Sequence, residues 1–334
     1  MITLELCVAL IYNGAYNKEK NMFKNKEYVL AIVNEGGFSK AAEKLYISQP
    51  SLSATIKRIE EKLTAPIFDR TTTPITLTEI GKEYVNHALE IERMERDFER
   101  YISDCVNLSA GEVKIGGSSL FSSFMLPEMI SKFNEKYPRV SIKIFENNTK
   151  NLISELAAGN LDIIIDNTTI KNENISSIVY TSETILLAVP KNFEVNSTVS
   201  KYALTAADVK AGKHLDEKYA VELREFIKLP FILLNTENDT GKRAAELFKK
   251  HKLTPTVHFR LDQQMTAYNI SCSGLGISFI SDTLVKNIDS SESILYYRLK
   301  DAEAMRNIYF YQKSNRYNSI ACQKFVEFNM AKNG

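Results

Sequence analysis

The sequence predicts an α/β protein in two parts: an N-terminal winged helix-turn-helix with a long linker helix, then a two-lobed α/β domain. Three observations carry this. Three short amphipathic segments follow one another between Asn25 and Leu63, and the last has an unbroken apolar stripe. A segment free of Gly and Pro runs from Lys82 to about Val106. Beyond Gly111, strand-like and helix-like segments alternate in the order of a parallel sheet with right-handed crossovers, and a second such set follows.

Taken in order, residues 1–21 match nothing that follows and read as an appendage. Tyr28, Val29, Ile32 and Val33 recur at helical spacing, and Gly36-Gly37 stops that helix. Ser39 is a good N-cap for a second helix over Lys40–Tyr46, whose apolar face is Ala41, Ala42 and Leu45. Ser48 caps a third, with Pro50 tolerated in its first turn. Leu52, Ile56, Ile59 and Leu63 lie 4, 3 and 4 residues apart and form its inner stripe. Pro66–Arg70 and Ile75-Thr76-Leu77, about the turn Thr71–Thr73 and Pro74, read as a hairpin wing. Thr78 caps the linker helix, where Tyr84, Ala88, Ile91, Phe98, Ile102 and Cys105 keep heptad steps interrupted at Glu95. So narrow a seam suits a partner helix better than a globular core.

Ser109-Ala110-Gly111 ends the linker. Strands are expected at Val113–Gly116, Val140–Phe145, Leu161–Ile165, Ile185–Val189, Phe231–Leu234, Thr256–Arg260, Gly276–Ile280, Ile294–Leu299 and Asn307–Tyr311. Helices are expected at Leu126–Tyr137, Lys150–Ala158, Gly241–His251, Gln263–Cys272 and Ser319–Ala331. The stretch Glu194–Lys228 is a long connection with a helical piece near Ala206–Lys210 that wraps the second lobe. The domains are thus 22–80 (winged helix-turn-helix), 81–108 (linker and dimerisation helix) and 109–334. The last divides into lobe I, about 109–182 and 283–334, and lobe II, about 183–282. A cleft between two such lobes is a natural ligand site.

Bulk composition excludes several classes. The 42 Lys+Arg against 41 Asp+Glu give a net charge of +1, so only a local basic patch could serve nucleic acid. Cys7, Cys105, Cys272 and Cys322 have neither zinc-ligand nor disulfide-framework spacing. The apolar run Met1–Tyr12 is too short for a membrane span and lacks a signal-peptide pattern, so a cytoplasmic protein is expected. His87, His214, His251 and His258 lack metal spacing and read as surface residues, and no catalytic motif is present. No catalytic residue, metal or cofactor is assigned.

The outer face of the third helix carries what a major-groove reader needs. Gln49, Ser51, Ser53 and Thr55 offer donors and acceptors, Lys57 and Arg58 offer charge, and Pro50 and Ala54 are small enough to touch a thymine methyl. With Ser39 and the wing residue Arg70 these are the candidate DNA contacts.

The blocks Gly37-Phe38-Ser39-Lys40-Ala41-Ala42-Glu43-Lys44-Leu45, Ile47-Ser48-Gln49-Pro50-Ser51-Leu52-Ser53 and Ile56-Lys57-Arg58-Ile59-Glu60 closely resemble the LysR-type transcriptional regulators. Phe68-Asp69-Arg70 and Leu77-Thr78-Glu79-Ile80-Gly81 fit the same family, as do Leu126-Pro127, Tyr137-Pro138, Gly159-Asn160-Leu161-Asp162 and Gly274-Leu275-Gly276. The resemblance implies a regulator that binds double-stranded DNA as a homodimer or homotetramer, with RNA polymerase a further candidate partner and no membrane. It implies an effector domain resembling periplasmic binding proteins, with Ser118, Ser119, Thr149, Asn235 and Thr236 at the cleft. A small-molecule effector is expected there, an organic anion among the candidates, because helix N-termini favour negative charge. Simple N-capping is the competing role for these Ser and Thr residues. Two departures stand out: Ala54 where the family often has arginine, and Thr71-Thr72-Thr73-Pro74 where its wing is often basic. Fewer neutralised phosphates predict a shallow salt dependence per subunit, with several subunits needed for tight binding. The alternatives are a stand-alone solute-binding module without regulatory activity, an enzyme, and a regulator whose effector domain has lost ligand binding.

Overall fold

The computed structural model describes residues 21–331 apart from Thr73, 107–110, Ser290 and 315–316; for Arg100 and 103–106 only the backbone is described. Expectations placed on 1–20 (with Cys7), Thr73, the Cys105 side chain and Ser109-Ala110 lie outside the described residues. The chain forms two units, Met1–Glu99 and Arg100–Gly334.

In the first unit, α1 (Lys26–Glu35) stops at Gly36, whose φ of 69° is the left-handed conformation glycine favours. The second helix, α2 (Phe38–Lys44), begins at Gly37 and not at Ser39, which lies inside the helix and caps nothing. Phe38 accounts for this, since its ring packs edge-on against Phe68 at 5.6 Å and belongs to the first turn. In α3 (Gln49–Leu63) the Ser48 hydroxyl accepts the Ser51 N–H at 3.4 Å. The stripe Leu52, Ile56 and Ile59 is buried against Val29, Ile32, Ala41 and Ala42, and the two alanines let α2 approach closely. Each large aliphatic side chain buried here contributes about 1.5–3 kcal/mol.

The wing is the antiparallel pair β1 (Phe68–Asp69) and β2 (Thr76–Leu77), in register Phe68 with Leu77. Thr78 then starts α4 (Glu79–Val106): its hydroxyl accepts the Gly81 N–H at 2.9 Å and donates to the Pro66 carbonyl at 2.7 Å. Tyr84 and Ala88, expected on the partner-facing seam, are buried in the helix-turn-helix core with Val85. The later turns differ. Glu95 interrupts the seam at its heptad position, and there it pairs with Lys26 at 2.9 Å. Met94, at the edge of the seam beside Ile91 and Phe98, is 61% exposed.

In the second unit, β3 (Gly111–Gly117), β4 (Val140–Glu146) and β5 (Ile163–Asp166) are parallel, in the order β4-β3-β5. Helices α5 (Ser119–Phe124), α6 (Leu126–Lys136) and α7 (Thr149–Ala158) connect them. Next comes β6 (Ile175–Pro190), a 16-residue strand of which only Ile185–Val189 was legible in the sequence. Its first ten residues are mostly Ser, Thr and Glu, and their one apolar run, Ile178-Val179-Tyr180, is short and not buried. The second lobe contains α8 (Val195–Thr198), α9 (Ala206–Lys210), β7 (Ala220–Val221), β8 (Pro230–Leu234), α10 (Asp239–Lys250), β9 (Thr256–Leu261), α11 (Gln264–Cys272), β10 (Ile277–Ser281), α12 (Asp282–Asn287) and β11 (Ile294–Leu299). The connection 194–228 covers this lobe's core through Val199, Leu223 and Phe226. Because β11 pairs with the second half of β6, residues 283–304 stand with lobe II, although the sequence reading placed them in lobe I. The return crossing is β12 (Met305–Lys313), antiparallel to the first half of β6 and to β5, before α13 (Ile320–Met330) closes the first lobe.

Where β6 and β12 run between the lobes, a buried polar network replaces apolar packing. Arg306, fully buried, donates from Nε to Glu183 at 2.7 Å and from Nη1 to Asp239 at 2.7 Å and Thr240 at 3.0 Å. Glu183 also accepts from Asn167 at 2.8 Å and from Thr283 at 2.6 Å. His214 is a second buried polar residue; read as a surface histidine, it is 0% exposed and bonds Asp282 at 2.9 Å. The carboxylate held for it by α12 lies 68 residues away, which no local pattern discloses.

Candidate DNA interface and effector cleft

On α3, the buried stripe turns the other face outward. Gln49, Pro50, Ser51, Ala54, Lys57 and Arg58 are exposed, as are Ser39 and Arg70; Ser53 and Thr55 are half-buried. Not all of these polar groups are equally free to contact a base. The Thr55 hydroxyl donates back to the Ser51 carbonyl at 3.0 Å, so only its lone pairs remain for a ligand. Gln49 reaches Ser53 at 3.4 Å, a weak bond that a base edge can replace. Lys57 stands 3.9 Å from Glu61, a solvated pair of small energy. Arg70, the wing's cation, donates to Glu60 at 3.0 Å and lies over the Phe38 ring at 5.6 Å.

Glu60 is a residue the sequence reading left without a role. Its Oε1 accepts the N–H groups of Ile67 and Phe68 at 2.9 and 3.3 Å, so it ties the wing to the reading helix while Oε2 holds Arg70. Tyr46 also escaped notice. It occupies the turn before α3 with φ of 55° and is 96% exposed.

The second candidate site is a cleft of about 840 Å³ between the lobes of the second unit. Ser118, Ser119, Thr149 and Asn235 line it; Thr236 is exposed and does not. Capping does not account for the first three. Ser118 precedes α5 without a side-chain cap bond. The cap of α7 is Asn148, which accepts from the Asn151 N–H at 2.9 Å. Thr149 instead donates to Asp166 at 2.8 Å. Asn235 donates to Asp262 at 2.6 Å. Helix α10 begins two residues before Gly241, capped by Asn238, and packs so tightly that a Cβ on Gly241 would lie 2.3 Å from the Asn235 carbonyl oxygen.

Asp166, Asn167 and Thr168 complete the first lobe's wall and were missed, though their position directly after a parallel strand is where ligands of open α/β sheets sit. Gln264, in the second wall, is braced by Thr240 and donates nothing to the cap of α12: its Oε1 accepts the Ser281 N–H at 2.9 Å. Burial pushes the Asp166 carboxyl above the ordinary carboxylate range, against the opposing effect of hydrogen bonds from Thr168 and Thr149.

Residues 23–82 match the family model of the bacterial regulatory helix-turn-helix protein, lysR family, and residues 107–332 match that of the LysR substrate binding domain. The chain belongs to the LysR family. This LysR-type transcriptional regulator combines a DNA-binding helix-turn-helix with an effector-binding domain. It is similar to the uncharacterized HTH-type transcriptional regulator YcgK of Bacillus subtilis (strain 168), at 26% identity over 91% of this chain and 92% of that one. It is 24% identical to a probable RuBisCO transcriptional regulator of Gracilaria tenuistipitata var. liui, over 88% and 91% of the two chains. Its fold matches CbnR, a LysR family transcriptional regulator, with a TM-score of 0.60 at 15% identity over 93% and 98%. The effector binding domain of QuiR in complex with shikimate matches with a TM-score of 0.53 at 16% identity, covering 67% of this chain and 97% of that one. Among the described residues no helix is long and apolar enough to cross a membrane.

Proposed function

We propose that this LysR-type regulator reads an operator with α3 in the major groove and adjusts its grip when a small molecule enters the inter-lobe cleft. The observation that carries the reading is the division of α3 into a buried stripe, Leu52, Ile56 and Ile59, and an exposed face bearing Gln49, Ser51, Lys57 and Arg58. CbnR has been crystallised with its target DNA, a precedent for the same use of this fold. Gln49 and Arg58 are assigned base contacts, while Ser39, Lys57 and Arg70 are assigned phosphates. Because Glu60 already engages Arg70, the wing adds little charge. Binding by one subunit should therefore be weak, and tight binding should need several subunits on one operator. In fluorescence anisotropy, Gln49→Ala should weaken specific binding about 10-fold and leave non-specific binding unchanged. Lys57→Ala should weaken both and lower the salt slope by about 1. Equal losses on specific and random duplexes in Gln49→Ala would contradict the base contact.

Dimerisation is assigned to the C-terminal half of α4. Ile91 and Met94, with the exposed Phe98, supply an apolar face beyond the helix-turn-helix core. A two-fold pairing there would bring two reading helices to half-sites about 34 Å apart. Met94→Glu should convert dimers to monomers in sedimentation; an unchanged mass would refute this seam. The cleft is given a binding role and no reaction, and Ser118, Ser119, Thr149, Asn235 and Asp166 are its proposed effector residues, with Thr236 omitted. Ligand-driven closure of the lobes would alter the pairing of subunits and the bend of bound DNA.

A further inference from the structure

The charged side chains that line the cleft are mostly acidic. Glu146, Asp166, Glu237, Asp239 and Asp262 face it, with Lys150 the only basic side chain among the described lining residues. Asp239 is offset, since Arg243 and Arg306 each donate to it at 2.7 Å. Asp166 is not. It is 1% exposed, and it accepts from the neutral donors Thr149 Oγ1 at 2.8 Å and the Thr168 N–H at 2.7 Å. A buried carboxylate held by neutral donors stays costly while ionised, and the nearby charge of Asp239 adds to that cost. Asp166 belongs to the first lobe, and Asp239 and Asp262 to the second. Closing the lobes about an empty cleft therefore brings like charges together, and a cation between them reverses that penalty.

An anion has less to bind. Of the helix N-termini at the cleft, those of α7 and α10 are already capped by Asn148 and Asn238, with Asp239 in the first turn of α10; those of α5 and α11 have no side-chain cap, and the acidic side chains around them outnumber the one lysine. A bare metal ion is no better served, because among the described residues no three His, Cys, Asp or Glu side chains converge on one point. Leu120, Phe124 and Met265 give the wall an apolar part suited to an alkyl chain.

We propose that the effector is an organic cation, an aliphatic amine or guanidine, whose charged group sits against Asp166 and is met from the other lobe by Asp262. The proposal rests on the reading of this cleft as the effector site, and it reverses the sign of charge considered from the sequence.

The test is calorimetric titration and thermal shift of the full chain with putrescine, cadaverine and agmatine, against succinate, glutarate and Ca²⁺. At least one amine should bind saturably, one per chain, and raise the melting temperature. Asp166→Asn should weaken it at least about tenfold, near 1.4 kcal/mol, and Asp262→Asn about threefold. Asp262 is exposed, so its variant folds even where Asp166→Asn does not. No binding by any amine, amine binding unmoved in both variants, or binding by a dicarboxylate or Ca²⁺ instead would overturn the proposal. If a dicarboxylate binds and Thr149→Val abolishes it, the cleft reading stands and only the charge class falls. A ligand whose affinity no cleft substitution changes would overturn the cleft reading itself.

Discussion

Arg306→Met is expected to destabilise the two-lobed domain by about 3–5 kcal/mol, because it leaves Glu183 charged and buried without its cation. Glu183 is 2% exposed and would retain only the amide of Asn167 and the hydroxyl of Thr283. Asp239 would lose one of its two arginines at the same stroke. The network joins β6, β12, α10 and the end of β5, so the damage should appear where the lobes meet. Hydrogen exchange should speed up in 175–190 and 305–313 before it does in the helix-turn-helix. The double variant Arg306→Met with Glu183→Met should recover more than half the loss, since removing both charges removes the orphaned one. A single variant within 1 kcal/mol of wild type would contradict this account of the Arg306–Glu183 pair.

Gly81→Ala should cost the first unit about 2–4 kcal/mol, through overpacking and loss of a cap. An added Cβ would stand 2.0 Å from the Ile67 carbonyl oxygen, which accepts the Thr78 N–H at 3.0 Å. That oxygen is backbone and cannot rotate away. Either α4 or the segment leading into β1 must move, and the bond from Gly81 to Thr78 goes with it. The wing, α3 and the start of α4 share one core, so DNA binding should fall with stability. Gly37→Ala is the control. Its backbone is extended, a Cβ there would meet nothing within 4 Å, and its effect should stay within about 0.5 kcal/mol. Equal behaviour of the two variants in thermal unfolding would refute the packing argument.

What the sequence disclosed follows from how far each signal reaches along the chain. The stripe Leu52, Ile56, Ile59, the cap Ser48 and the stop at Gly36 are local, and each stands where its pattern placed it. Contacts between distant residues were hidden. Glu60 looks like any solvated helix residue until the hairpin brings Ile67, Phe68 and Arg70 to it. What Glu95 does on the α4 seam was hidden likewise, because its partner Lys26 is 69 residues earlier. In the cleft, the hydroxyls of Ser118, Ser119 and Thr149 were named through the family resemblance. Asp166 was not, since an acid after a strand gains meaning only once the second lobe faces it. The same holds for β6, whose first half is polar in sequence and becomes a strand by pairing along nine residues of β12.

The most direct test is selection of bound duplexes from a random pool, run in parallel with wild type, Gln49→Ala and Arg58→Ala. Wild type should enrich a partly two-fold sequence with half-sites one or more helical turns apart, and each variant should relax preference at a different base of the half-site. Enrichment of the same sequence by all three, or of none by wild type, would contradict the claim that the outer face of Gln49–Leu63 reads DNA.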